Sequence, residues 1–135
     1  MNDKLRALLI KHEGKKNLPY LDTIGKTTIG IGRNLTDKGL SDDEVNYLFM
    51  NDVGEAILGL MKVIPDFTGM SENRQNALVD MCFNMGITRF LKFKNMIAAI
   101  KAGDWTKAAN EMRNSAWANQ LPGRVSELAE LVEKG

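Results

Sequence analysis

The stretch EGKKNLPYLDTIGKTTIGIGR, residues 13–33, decides how the rest of the chain is interpreted. It holds two carboxylates, Glu13 and Asp22, and then a pair of hydroxyls at Thr27 and Thr28. Glu13 ends a helical pattern, whereas Asp22 stands among turn residues, so the two acids can face each other across a gap. Two acids in that arrangement are the chemical apparatus of glycoside hydrolysis.

The residues on either side of this stretch predict an α+β fold that is mostly helical, with one small antiparallel sheet near the N-terminus. Asp3 can cap a helix over residues 3–13, which carries an apolar stripe of leucines and which Gly14 ends. Residues 17–35 place glycines among short runs of Tyr, Thr and Ile, a pattern that is typical of short strands joined by tight turns.

A long helix is predicted after the sheet, because Ser41-Asp42-Asp43-Glu44 has the pattern of a capping box. Its apolar positions continue to residue 62, which gives a helix of roughly 30 Å, long enough to join two lobes. Further helices are expected over residues 71–85, 93–102 and 105–114, and from Pro122 to the end.

The composition is that of a soluble globular protein able to bury a core, since 44% of the 135 residues are hydrophobic and 26% are charged. The net charge of +1 gives no global field that would attract nucleic acid or an anionic membrane. A single cysteine excludes an intrachain disulfide. The charged N-terminus does not have the pattern of a secretory signal, and no apolar run is long enough to predict a membrane span.

Taken one at a time, the polar residues of the opening stretch have ordinary structural explanations. Asp22 suits a turn, Thr28 suits a strand, and a glutamate can simply be solvated at a helix end. The helix dipole nevertheless disfavours a carboxylate at a helix C-terminus, which hints that Glu13 serves another purpose. As a set, Glu13 would protonate a leaving oxygen, Asp22 would take a proton from water or stabilise a cation, and Thr28 would hold the water.

Other kinds of chemistry find little support in the sequence. His12 is the only histidine and has no cysteine or second histidine at metal-ligand spacing, so no metal and no cofactor are expected. Phosphate-binding loops and serine-nucleophile motifs are absent. Cys82 belongs to an apolar helical pattern with Met81 and Met85, which predicts an inert thiol in the core.

Over nearly its whole length the chain resembles the T-even phage lysozymes, the endolysins that cut peptidoglycan. The family pattern is a glutamate, eight residues, an aspartate, five residues and a threonine, and Glu13, Asp22 and Thr28 reproduce it. The segment SAWANQLPGR, residues 115–124, is similar to the Trp, Asn-Gln, Pro and Arg pattern near the family's C-terminus. Further similar segments are Asp43-Glu44, Leu48-Phe49, Asn51-Asp52-Val53, Ala77-Leu78, Met81, Phe83-Asn84-Met85-Gly86 and Trp105 with Ala108-Ala109.

This resemblance implies one lysozyme-like domain over residues 1–135, with two lobes and a cleft between them that takes a glycan strand. The small sheet lobe would span residues 14–40 and the connecting helix residues 41–62. The helical lobe would combine residues 1–13 with residues 63–135.

Members of the family hydrolyse the β-1,4 bond between N-acetylmuramic acid and N-acetylglucosamine with inversion. By the resemblance, Glu13 is the acid, Asp22 the base and Thr28 the residue that positions water, with the two carboxyl groups about 6.5–9.5 Å apart. Arg124 matches the arginine that pairs with the catalytic glutamate. The residues expected to bind the sugars are Asn34, Phe83 and Asn84.

The resemblance also implies partners and a place of action. The substrate would be the glycan strands of bacterial peptidoglycan, and the protein would act as a monomer without nucleic acid and without stable insertion into a membrane. It would be made in the host cytoplasm and would reach the cell wall through a holin-type pore, where it would lyse the host.

The sequence departs from the family around the predicted site, not in it. The lobe between the sheet and the long helix is shorter than in the best-known members. Arg33 stands where histidine is common, Asn84 stands where glutamine is usual, and Ala118 replaces an aromatic residue. A shorter lobe predicts a shallower cleft with fewer contacts to distal sugars.

Three other functions are open to the same sequence. A lytic transglycosylase needs one acid and no activated water, and the presence of both Asp22 and Thr28 argues against it. A non-catalytic glycan-binding module would not need the three residues together. A helical nucleic-acid binder would need a basic surface interleaved with aromatic residues, which the chain lacks.

Overall fold

The computed structural model describes residues 1–135, which form two compact units, Met1–Tyr47 and Leu48–Gly135. The first unit contains helix α1 (Asp3–Glu13) and strands β1 (Lys16–Leu21), β2 (Thr27–Gly30) and β3 (Arg33–Asn34). Helix α2 (Asp42–Val63) begins in the first unit and ends in the second. The second unit continues with a 3-10 turn (Phe67–Gly69) and the helices α3 (Glu72–Met85), α4 (Ile87–Phe90), α5 (Lys94–Lys101), α6 (Trp105–Arg113), α7 (Ala116–Gln120) and α8 (Pro122–Lys134).

This element order confirms the predicted α+β class, with one small sheet among helices. The sequence patterns did not indicate the short helices α4 and α7, which are too short to show a helical period. No helix is long and apolar enough to cross a membrane. The assignment of residues 1–13 to a helical lobe with residues 63–135 stays a prediction.

Helix α1 begins one residue earlier than its predicted cap. The cap is Asn2, not Asp3, because Asn2 has an extended backbone and its Oδ1 accepts a 2.8 Å hydrogen bond from the Leu5 amide. Asp3 lies in the first turn, where the helix dipole favours a carboxylate. The apolar stripe of Leu5, Leu8 and Leu9 is between 42% and 49% exposed, so α1 buries none of its residues.

The sheet consists of β1, β2 and β3 in that order, and both pairs are antiparallel. Thr28 in the middle strand pairs with Tyr20 on one side and with Asn34 on the other. Its position between two strands explains why Thr28, at 4% exposed, is the only buried side chain of the first unit.

The predicted capping box at the start of α2 is confirmed. The Glu44 amide donates to Ser41 Oγ at 3.2 Å, and the Ser41 amide donates to Glu44 Oε1 at 3.0 Å. The apolar stripe predicted along this helix is covered only in its second half, where Ala56 and Leu60 are buried.

All apolar side chains that are fully buried belong to the second unit. Helix α3 contributes one face to this core, and its thiol at Cys82 is 2% exposed. Burial raises the pKa of Cys82, with a smaller contribution from the charge of Glu55, so the thiol stays protonated. The remaining core members are Ala56, Leu60, Ile64, Phe67, Ala77, Leu78, Met81, Met85, Phe90, Met96, Ile97, Ala99, Ile100, Ala108, Ala109, Met112, Trp117, Val125, Leu128, Ala129 and Val132.

Candidate active site

Asp22 lies in the tight turn that joins β1 to β2, and its side chain holds that turn together. Its Oδ1 accepts hydrogen bonds from the amides of Ile24 at 2.9 Å and Lys26 at 2.8 Å. Gly25 in the same turn has a φ of +81°, a conformation that glycine adopts without strain. The second carboxylate oxygen, Oδ2, accepts no hydrogen bond from the protein. The structural role of Asp22 therefore occupies one oxygen and leaves the other available.

Thr28 is connected to Asp22 through the peptide groups of Lys26. The Thr28 hydroxyl donates to the carbonyl oxygen of Lys26 at 3.0 Å, and the same carbonyl accepts from the Asp22 amide at 2.9 Å. Because the hydroxyl uses its proton on this carbonyl, its oxygen lone pairs face other partners as an acceptor. The structure thus links two of the three residues predicted to be catalytic, Asp22 in the turn and Thr28 in β2, through Lys26.

Glu13 is the last residue of α1, and its carboxylate lies against the backbone of Gly32. A Cβ atom placed on Gly32 would come within 2.6 Å of Glu13 Oε2, so a larger residue there would have to displace the Glu13 side chain. Gly14 ends the helix with a φ of +79°, and its amide donates to the carbonyl of Ile10 at 2.7 Å. Within the first unit no hydrogen bond or ion pair engages the Glu13 carboxylate, which is exposed.

Arg33 and Glu44 form an ion pair beside this backbone, at 2.6 Å. The Arg33 guanidinium also donates to the carbonyl of Gly39 at 3.2 Å. The hydrogen bond from Arg33, with smaller contributions from Ser41, lowers the pKa of Glu44 to about 2. Arg33, noted in the sequence only as a departure from the family, therefore fixes the start of α2 to the end of the sheet.

Asn34, predicted to bind sugar, takes part in a local turn. Its Nδ2 donates to Asp37 Oδ2 at 3.0 Å, and its Oδ1 accepts from the Asp37 amide at 3.0 Å. Lys26 makes an ion pair with the same Asp37 at 3.2 Å. One amide proton of Asn34 is left for a ligand, so its role in sugar binding stays a prediction.

The other predicted site residues belong to the second unit. Asn84 Oδ1 accepts a 2.9 Å hydrogen bond from the indole nitrogen of Trp117, which fixes the orientation of the amide and leaves Nδ2 as a donor. Phe83 is 43% exposed and packs edge to face against Phe49, with ring centroids 6.0 Å apart. Both side chains are accessible, and their contact with sugars stays a prediction.

Arg124 lies in the first turn of α8 and binds Asp80 of α3. Its Nε donates to Asp80 Oδ1 at 2.7 Å, and its terminal nitrogen lies 2.6 Å from the same oxygen. These two residues and Phe83 line a small cavity of about 430 Å³ in the second unit. In the sequence, Asp80 directly precedes Met81, within the apolar pattern of α3. That pattern does not indicate that Asp80 pairs with Arg124. The pairing of Arg124 with Glu13 stays a prediction.

Comparison with known proteins connects these observations to a family. Residues 10–134 match the family model described as phage lysozyme, and this range includes every site residue discussed above. Two relatives from Dictyostelium discoideum, named probable T4-type lysozyme 2 and probable T4-type lysozyme 1, are 30% and 27% identical. In each case the match covers all of this chain and 96% of the relative.

A third relative is a much longer protein, and only part of it matches this chain. The pre-baseplate central spike protein Gp5 of Enterobacteria phage T4 is 30% identical over 99% of this chain, but the match spans only 28% of the longer spike protein. The same kind of domain thus occurs both alone and inside a larger protein. The family model matches residues 10–134, which are nearly all of this chain. We therefore conclude that the chain belongs to the phage lysozyme family and is a lysozyme-type hydrolase.

Proposed function

We propose that the chain is a muramidase that hydrolyses the β-1,4 bond between N-acetylmuramic acid and N-acetylglucosamine, with inversion, in the lysis of a bacterial host. The observation that carries the proposal is the link from Asp22 through Lys26 to Thr28. This link fixes the Asp22 carboxylate and the Thr28 hydroxyl relative to the same residue, Lys26, and each keeps lone pairs that can accept a hydrogen bond from water.

In the proposed reaction the three residues have separate tasks. Glu13, protonated, gives its proton to the glycosidic oxygen as the bond from that oxygen to the anomeric carbon breaks. A water molecule held by the Thr28 hydroxyl attacks the anomeric carbon from the opposite face, and Asp22 Oδ2 takes the proton that the water loses. Exchange of protons with solvent then restores both carboxyl groups. This sequence inverts the anomeric configuration, because water displaces the leaving group in one step.

The free state of Glu13 supports its assignment as the acid. Its carboxylate is exposed and has no hydrogen-bond or ion-pair partner within the first unit, so no contact of that unit must be displaced before a glycosidic oxygen approaches. The close approach of Gly32 limits where the carboxylate can lie, which favours a defined direction for proton transfer.

The proposal is tested by changing each acid without changing its shape. Glu13→Gln and Asp22→Asn should each lower the rate of peptidoglycan hydrolysis by about 10²–10⁴-fold, the usual contribution of a general acid or base. Asp3→Asn is a matched control, because Asp3 is an exposed acid on the same helix as Glu13 and should leave the rate unchanged. Full activity of Glu13→Gln would contradict the assignment.

The products distinguish this reaction from its nearest rival. An inverting muramidase should release new reducing ends that appear first as the α anomer, which NMR spectroscopy can follow during the reaction. Ends that carry a 1,6-anhydro sugar in the mass spectrum would instead identify a lytic transglycosylase, and binding without any products would identify a glycan-binding module.

A further inference from the structure

We propose that Thr36 is a positioning residue for the reaction, because its hydroxyl fixes the peptide group that joins Asp22 to Thr28. This inference rests on the proposed function, since it concerns how two of the three proposed catalytic residues keep their places. It extends the machinery of the site from the turn between β1 and β2 to the turn that follows β3.

The peptide group between Lys26 and Thr27 is the centre of this arrangement. Its carbonyl oxygen accepts hydrogen bonds from the Asp22 amide at 2.9 Å and from the Thr28 hydroxyl at 3.0 Å. Its N–H, which belongs to Thr27, donates to Thr36 Oγ at 2.9 Å. A peptide group is planar and this one is trans, so the direction of its N–H also sets the direction of its carbonyl. The Thr36 hydroxyl therefore holds, from the opposite side, the carbonyl that Asp22 and Thr28 share.

The turn that carries Thr36 is itself held in shape by polar contacts. Asn34 and Asp37, on either side of it, are joined by two hydrogen bonds of 3.0 Å. Asp37 Oδ1 also lies 3.2 Å from the ammonium group of Lys26. The turn thus contacts the shared peptide group through a hydroxyl and the side chain of Lys26 through a charge, and both contacts oppose movement of Lys26.

A threonine hydroxyl that accepts a backbone amide in a turn often has only a local role. Here the amide belongs to Thr27, nine positions earlier and in another strand. Because Thr36 is exposed, water could accept from this amide in place of the hydroxyl. Such a water would satisfy the amide but would have no fixed position. Loss of the hydroxyl should therefore change the geometry of the site more than the stability of the chain.

The experiment compares Thr36→Val, Thr36→Ser and the wild-type chain in the hydrolysis of peptidoglycan. Valine has nearly the shape of threonine but no hydroxyl, whereas serine keeps the hydroxyl and loses only the methyl group. Thr106→Val is the matched control, because it removes an exposed threonine hydroxyl from the second unit. Initial rates over a range of substrate concentrations give kcat and KM separately, and circular dichroism at the assay temperature gives the folded fraction.

We expect Thr36→Val to lower kcat by roughly tenfold, a part of the about 10²-fold that a displacement of 1 Å can cost. KM should not change, because the hydroxyl acts on the protein backbone and not on the substrate. Thr36→Ser should keep more than about half of the wild-type kcat, since its hydroxyl can make the same hydrogen bond. Thr106→Val should match the wild type, and all the variants should be fully folded.

A double variant tests whether Thr36 acts through Asp22. Residues that act as a unit give losses that are not additive. In the Asp22→Asn background, the further change Thr36→Val should therefore lower the remaining rate by less than about twofold. A tenfold loss in both backgrounds would mean that Thr36 acts independently of Asp22 and would overturn the inference.

The other failures are distinct from a failure of the proposed function. If Thr36→Val keeps the wild-type kcat, or if Thr36→Ser loses as much as Thr36→Val, the hydroxyl does not position the site, while the muramidase assignment stands. A raised KM with kcat unchanged would show a substrate contact, and a reduced folded fraction would show a structural role, so either result would also overturn the inference. If the wild type hydrolyses no peptidoglycan, the proposed function itself is wrong.

Discussion

Each of the two units of this chain is stabilised internally by a different kind of interaction. The second unit buries a continuous set of apolar side chains, and several of them, such as Phe90, Leu78 and Met96, are 0% exposed. The first unit buries only Thr28, and its order comes from strand pairing, turns and polar contacts. Arg33 with Glu44 and Asp22 with Lys26 are the clearest of these contacts.

The predicted catalytic residues all lie in the unit without an apolar core. Asp22 closes a turn with one carboxylate oxygen and leaves the other without a protein partner, an arrangement that requires surroundings in which polar groups are solvated or satisfied in pairs. Hydrogen bonds with fixed directions also position oxygens more strictly than apolar packing does. We infer that the apolar core of the second unit supplies most of the stability, whereas the polar contacts of the first unit set the geometry of the predicted catalytic residues.

The largest expected effect is on the core of the second unit. Phe90→Ala should lower the free energy of unfolding by about 3–5 kcal/mol, because it removes a fully buried ring and leaves a cavity. Leu18→Ala is the contrasting change, since Leu18 in β1 is 77% exposed and its loss should cost less than about 0.5 kcal/mol. Urea unfolding followed by circular dichroism measures both.

Tryptophan fluorescence adds information about one unit alone, because Trp105 and Trp117 both belong to the second unit. The fluorescence transition should move to lower urea concentration in Phe90→Ala and stay in place in Leu18→Ala. A cost above about 1 kcal/mol for Leu18→Ala would show that the first unit depends on apolar packing after all.

The sequence predicts the local features of both units well. The helices of the second unit follow from apolar residues at helical spacing with recognisable caps, as at Ser71 and Asp104, whose side chains accept the expected hydrogen bonds. The capping box at Ser41 and Glu44 and the turn at Asp22 follow from local chemistry as well. Such features depend on residues a few positions apart, which a sequence shows directly.

The contacts that the sequence did not reveal join residues that are distant along the chain. Glu13 meets Gly32, and Arg124 meets Asp80, across 19 and 44 positions respectively. No periodic pattern encodes such pairs, and a charge on a helix gives no indication of which opposite charge it will bind. Arg33 illustrates the point, since its ion pair with Glu44 requires the sheet to turn back toward the start of α2.

The contact between Gly32 and the Glu13 carboxylate should matter for activity more than for stability. Gly32→Ala should lower the rate of peptidoglycan hydrolysis by about 10²-fold, because the new methyl group would displace a carboxylate that must be placed to within about 1 Å. It should also cost about 1 kcal/mol of stability, since φ is +72° at this position. Activity and unfolding are measured on the same preparation.

A nearby glycine separates the two effects. Gly30 has almost the same φ, +70°, but a methyl group there would meet nothing within 4 Å. Gly30→Ala should therefore lose similar stability and keep most of its activity. If both variants lose activity equally, backbone strain and not the position of Glu13 is responsible.

The smallest expected effect is the pH dependence of the Arg33–Glu44 ion pair. The pKa of Glu44 is about 2 in the folded chain, below its usual value of 4.5, so the folded state holds the proton less tightly than the unfolded state. The stabilisation is therefore fully present above pH 4.5 and is lost as the pH falls from 4.5 toward 2. Because both side chains are partly exposed, the effect should be small and should weaken in high salt.

Glu44→Gln isolates this effect, because glutamine can still reach back to the Ser41 amide but carries no charge. Hydrogen exchange at the Val45 amide, which donates to the Ser41 carbonyl at 2.9 Å, reports opening of the first turn of α2. Compared at equal pH, the wild type should be better protected than the variant near pH 6, and the difference should disappear near pH 2. A difference that stays constant across this range, or no difference near pH 6, would mean that the charge of Glu44 does not anchor the first turn of α2.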